Sequence, residues 1–364
     1  MPIRLAALLL LLVAAAAPRV WCFNDDERRF LQGQHALLEI SPDPCRLAPR
    51  LEAEYKRLLD AATPAQDVAD IRAAVEGKPG IPLHVGDGLR ITDAFALYDH
   101  ETKSIYLSSA ALAAGLPEEG GACPTDERVE GLARDTAAVY VHELAHALER
   151  RTLGDDLVDT REAEILAYAR ESRFLAGLAG WPDDSLKKEL QRRRALDALI
   201  QENEEILRRL RQAPPEKGLG KLQKSVDQLE SLRPKIKKLQ AAKADVDPFQ
   251  VSLAAMVESW RAGWPDFLRF MFTKMEDRPS LTRRKENLEI SRQFLDTATA
   301  SLKEEKPGTF PHQVAEHSVR LGKQDVLFWG DEQKVAAALE FYKARFKDVR
   351  PVPKPAAVES DKKP

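Results

Sequence analysis

Val141-His142-Glu143-Leu144-Ala145-His146 is the stretch that organises this chain. It has the form H-E-x-x-H and lies in a segment with helical periodicity. On a helix, residues four apart differ by about 40° in direction and one turn in height, so the imidazoles of His142 and His146 can reach one ion. Glu143 lies about 100° round from His142, close to that ion without being needed as a ligand. Two neutral nitrogen ligands, beside a carboxylate able to take a proton from water, form the donor set of a zinc-dependent hydrolytic centre.

The flanking residues favour a packed helix over a surface helix carrying two solvated histidines. Val129, Leu132, Ala133, Ala137, Val141, Leu144 and Leu148 have the spacing of a buried face. Thr125 is a fitting N-cap, Asp126 and Glu127 fall in the first turn, and Gly154 is a fitting stop. Zinc needs a further protein ligand. A second helical run, Thr160 to Tyr168 and on through Leu175, offers Glu162 and Glu164. Their directions differ by about 200° on a helix, so one of them is a solvated or structural charge.

Over roughly residues 80–180 the chain resembles the gluzincin branch of the zincin metallopeptidases, on the H-E-x-x-H stretch and the helical run after it. In that branch a glutamate on the next helix completes the metal site, and many members carry a small residue three positions later. Glu164 with Ala167 matches this, and Glu162 is the runner-up. The resemblance implies Zn2+ held by His142, His146 and Glu164, and hydrolysis of peptide bonds with Glu143 as general base. It implies a His or Tyr that stabilises the oxyanion, for which Tyr168 and His317 are the candidates. It also implies that the last strand before the metal helix, Ser104-Ile105-Tyr106-Leu107, forms the cleft rim to which an extended peptide substrate adds. The alternative is a non-catalytic envelope binding or scaffold protein with a structural or vestigial zinc site.

Outside this region the chain is read from its own patterns. Leu5 to Ala17 carries no charge and follows Arg4, so residues 1–22 read as a secretory signal peptide, cleaved after Cys22. That run is too short to anchor in a bilayer, and no later segment is apolar enough, so no membrane anchor is expected once the leader is cut. Of three cysteines, Cys45 and Cys123 then remain, and an even pair in an oxidising compartment predicts a disulfide. The expected location is secreted or periplasmic. A net charge of −3, from 55 basic and 58 acidic residues, gives no long-range attraction for nucleic acid.

The expected fold is α+β and predominantly α. Residues 23–182 form a zincin-like domain, with helices over 24–43 and 46–76, a short strand at 81–85, and a β-hairpin made by 94–98 and 104–107 around a polar turn. Residues 183–243 form an antiparallel helical hairpin around Pro214-Pro215, with Pro234 expected to kink its second arm. This hairpin is the expected surface for a protein partner, with a solvated spacer as the plainer reading. Residues 244–347 form a C-terminal helical region, and 348–364, rich in Pro and Lys, a disordered tail.

Overall fold

The computed structural model describes residues 37–41, 43, 45–62, 70–71, 80–88, 90–91, 94–112, 122–155, 157–178, 184–211, 219–241 and 248–351. The expected leader, Cys22 and residues 352–364 of the expected tail lie outside them. The fold is α+β and predominantly helical, with one small mixed sheet. It divides into two compact units, one made by residues 1–178 together with 263–364, the other by 179–262.

In the first unit, β1 (Glu39–Ile40), β2 (Leu83–Asp87), β3 (Ala96–Asp99) and β4 (Ser104–Ser108) form a sheet in the order β1-β2-β4-β3. β2 and β4 are parallel, and the two outer pairings are antiparallel. The hairpin expected at 94–107 is present, with Lys103 at positive φ in its turn. Helix α1 (Leu47–Ala62) follows β1, and a single turn α2 (Ser109–Leu112) follows β4. The helix expected over 24–43 is corrected at its described end: Glu39 and Ile40 are strand, because they find backbone partners in Asp87 and Gly86 of β2.

Helix α3 (Asp126–Leu153) carries the H-E-x-x-H stretch and starts and stops where its sequence signals say. Thr125 Oγ1 accepts from the Arg128 N–H, Asp126 and Glu127 occupy the positive end of the helix, and Gly154 takes φ 104° while donating to the Arg150 carbonyl. The helix packs against α1, β3 and α4 (Arg161–Gly177). Ala133, Ala137, Ala145 and Ala147 on α3 and Ala163 and Ala167 on α4 are all buried. Between α1 and α3, the Tyr55 hydroxyl donates to Thr136 Oγ1 at 2.6 Å, since that hydroxyl already donates to the Leu132 carbonyl.

Cys45, two residues before α1, is bonded to Cys123, just ahead of the α3 N-cap, across 78 positions of sequence. The predicted bridge therefore ties α1 to the start of the metal-helix candidate. Arg50 adds a tie at the same place, donating to the Pro124 carbonyl and to Asp126.

The second unit holds α5 (Asp184–Arg211), α6 (Leu219–Ala241) and α7 (Pro248–Ala262). The first two are antiparallel, as Arg192 near the start of α5 donates to the Leu239 carbonyl near the end of α6. Helix α6 runs on through Pro234, where a kink was expected. Two boundaries are corrected. Helix α7 belongs with the hairpin, not with the C-terminal region, because its Val251 and Ala254 bury against Leu190 of α5. From Gly263 onward the chain returns to the first unit: α8 (Trp264–Lys274), a 3-10 turn (Leu281–Arg283), α9 (Arg284–Glu304), α10 (Phe310–Gly330) and α11 (Glu332–Val349) share its core rather than building their own. The expected tail is also shortened, since Asp348 and Val349 still belong to α11 and Val349 is fully buried.

Candidate metal centre

His142, His146 and Glu164 converge. Their donor atoms stand 3.1 Å apart for His142 Nε2 and His146 Nε2, 3.4 Å for His142 Nε2 and Glu164 Oε2, and 3.9 Å for His146 Nε2 and Glu164 Oε1. Tetrahedral ligands at about 2 Å from an ion lie about 3.3 Å from one another, so a single ion fits with a small adjustment of Glu164. His142 and Glu164 are buried, and His146 nearly so. Among the described residues this is the one trio of His, Cys, Asp and Glu side chains that meets the geometry of a metal site.

The helices decide which glutamate takes part. Glu164 stands on the face of α4 that meets α3. Glu162, the runner-up, turns away and accepts from Ser280 Oγ at 2.6 Å and the Leu281 N–H at 3.0 Å. It is a structural acid.

Each histidine is backed by a second carboxylate. His142 Nδ1 lies 3.1 Å from Glu171 Oε2, and His146 Nδ1 faces Glu149 Oε2 at 3.6 Å. Glu149 is held in turn by the Tyr342 hydroxyl of α11, at 3.0 Å. Such partners set the tautomer and ring direction, leaving the other nitrogen for an ion. Burial opposes a charge on His142, but hydrogen bonding to Glu164 and Glu171 outweighs it and raises its pKa well above the usual value. Burial likewise opposes ionisation of Glu164, and His142, Arg278 and His146 overcome it, holding the carboxyl at about 2. For Glu171 burial wins, and its pKa rises. Four buried glutamates, at 143, 149, 164 and 171, thus surround two imidazoles. A bound dication would supply the positive charge this group favours.

Glu143 sits beside this trio with Oε2 accepting the Tyr98 backbone N–H at 2.7 Å. Tyr168 packs its ring against His142, with centroids 4.3 Å apart. His317 is placed differently: its Nδ1 lies 3.4 Å from Arg320, and its titratable neighbours are Arg90, between β2 and β3, with Asp99 and His100 at the hairpin turn. The oxyanion role expected of it has no support in these contacts.

The substrate-rim expectation is corrected too. Ser104, Ile105, Tyr106 and Leu107 lie in β4, paired on one side by β2 and on the other by β3, so the strand has no free edge. The edge strand beside α3 is β3, whose Ala96, Tyr98 and Asp99 are buried. Phe95 turns its carbonyl towards Ser108 of β4, and Tyr98 turns its N–H outward to Glu143, as the two-residue alternation requires.

Residues that the sequence reading passed over also contribute. Glu171 lies seven positions after Glu164, on the same helix face, and Glu149 three after His146. Both spacings were available as signals. Tyr342 and Arg278, whose Nη1 stands 3.2 Å from Glu164 Oε1, come from beyond residue 263 and had no local signature.

Among the described residues no helix is long and apolar enough to cross a membrane. No family model, curated protein or solved structure matches this chain, so the zincin resemblance rests on these residues and their arrangement alone.

Proposed function

We propose that the protein is an exported zinc metallopeptidase. The observation that carries this reading is the convergence of His142, His146 and Glu164, with Glu143 next to them on the helix and bonded to the edge strand β3. Two imidazoles and a carboxylate suit zinc, and three protein ligands are the number found in catalytic sites, where structural ones use four. A zinc ion held there supplies a Lewis acid for a peptide carbonyl and acidifies water. Glu143 takes the proton of the attacking water and passes it to the leaving amine. The β3 edge aligns an extended peptide through its outward backbone groups. Glu149 and Glu171 orient the two rings from their Nδ1 side, which leaves Nε2 for the ion. The leader-like start of the sequence and the Cys45–Cys123 bond support action in a secreted or periplasmic setting.

The test is metal analysis of purified protein together with digestion of casein or a peptide library by wild type and Glu143→Gln. The variant should keep stoichiometric zinc and lose about 10²–10⁴-fold in turnover. Equal cleavage by both would remove Glu143 from the mechanism. Zinc without cleavage in wild type would favour the second reading, a binding or scaffold protein, in which the separate helical unit of residues 179–262 meets a partner.

A further inference from the structure

We propose that Arg278 is a positioning residue of the metal centre, which holds one oxygen of Glu164 so that the other faces the ion. The inference rests on the metal-site reading and not on peptide hydrolysis.

The two oxygens of Glu164 have different surroundings. Oε1 lies 3.2 Å from Arg278 Nη1 and farther, at 3.9 Å, from His146 Nε2, while Oε2 stands 3.4 Å from His142 Nε2. A carboxylate free to rotate presents either oxygen or both. Anchoring one to a guanidinium that stays charged at any working pH fixes the direction of the other. Arg278 is therefore suited to make Glu164 a one-oxygen ligand and to keep a coordination position open.

The placement of Arg278 is built rather than incidental. It lies in the segment between α8 and the 3-10 turn, and the first turn of α4 grips that segment on both sides of it. Arg161 donates from Nε to the Met275 carbonyl at 2.9 Å, from Nη2 to the Glu276 carbonyl at 2.5 Å, and from its backbone N–H to the Pro279 carbonyl at 2.8 Å. Glu162 accepts from Ser280 and Leu281 beyond it. Asn287 closes the far side by donating to the Ser280 carbonyl at 2.7 Å. Glu164 stands only two residues after Glu162 on the same helix. One helical turn thus supplies both the ligand and the clamp for the residue that orients it. The Arg278 side chain keeps 35% of its surface, while the Glu164 side chain it meets is buried.

The experiment compares wild type, Arg278→Ala and Arg278→Lys, each loaded with Co2+ for visible absorption and titrated with Zn2+ against a chelator. Wild type should show the intense bands of a four-coordinate cobalt site. Arg278→Ala should shift to the weaker bands of a higher-coordinate one, as both Glu164 oxygens become available. Its zinc affinity should fall about 10–100-fold. Arg278→Lys, which keeps a charge and N–H donors, should recover most of the wild-type spectrum. An alanine variant with the wild-type cobalt spectrum overturns the proposal, as does a lysine variant indistinguishable from alanine. Should the alanine variant fail to fold, Arg278→Met keeps the aliphatic stem and takes its place. If wild type itself binds neither metal, the metal-site reading falls and this inference with it. If wild type binds metal but cleaves no peptide, only the hydrolase reading falls.

Discussion

The backbone N–H of Tyr98 donates to Oε2 of Glu143 at 2.7 Å, joining the edge strand β3 to the proposed general base. The outward groups of Ala96 share that direction, and a substrate strand adding to this edge would use them with the Tyr98 carbonyl, the Tyr98 N–H being taken by Glu143. Ala96→Pro removes an outward donor without removing a bond to β4, a change that edge strands accept. For this variant KM for peptide substrates should rise several-fold, with metal content unchanged. Steady-state kinetics beside metal analysis decides it, and an unaltered KM would place the substrate elsewhere.

Glu171 orients His142 and touches no other ligand of the trio. Glu171→Ala should keep the three ligands and weaken zinc binding by about 10–100-fold. Tyr342→Phe should act similarly through His146, and it also strips a buried carboxylate of its donor, at a cost of about 1–3 kcal/mol in stability. Chelator competition and urea unfolding of the two variants separate the metal effect from the folding effect.

His317 gives the fold an acid-sensitive contact outside the metal centre. Burial, with Arg90 and Arg320 nearby, pushes its pKa down from 6.5 to about 4, so the folded protein keeps it neutral. Between those values the unfolded chain binds a proton that the folded one refuses. Its contribution is complete above pH 6.5 and is lost as pH falls towards 4. In His317→Gln the unfolding midpoint should drop less than in wild type between pH 7 and pH 4.5. A parallel drop in both proteins would count against the assignment.

The Cys45–Cys123 bond closes a long loop containing β2, β3 and β4. Loop-closure entropy at that length corresponds to about 4 kcal/mol. Cys45→Ser with Cys123→Ser should unfold at markedly lower urea. The loss should reach zinc affinity as well, because the bond ties down the start of α3. Unfolding curves of the oxidised protein and the double variant measure it.

Much of this was readable from local pattern. The caps of α3, its buried face, the β3–β4 hairpin and the cysteine pair are each dictated by residues close together or by a forced count. His142, Glu143 and His146 belong to the same class, since a helix of fixed pitch places them relative to one another whatever surrounds it. Periodicity says which side chains share a face. It is silent on which neighbour that face will meet, or in what order strands will pair. Helical phase alone left Glu164 and Glu162 both open, and the resemblance that preferred Glu164 acquired a physical reason only when α4 docked on α3; the edge passed from β4 to β3 when β2 paired in parallel on the far side of β4. Tyr342 and Arg278 reach the centre only because the chain leaves it for a separate helical unit and returns. Contacts so distant in sequence leave no local trace, because they are chosen by the burial of whole helices and not by the residues beside them.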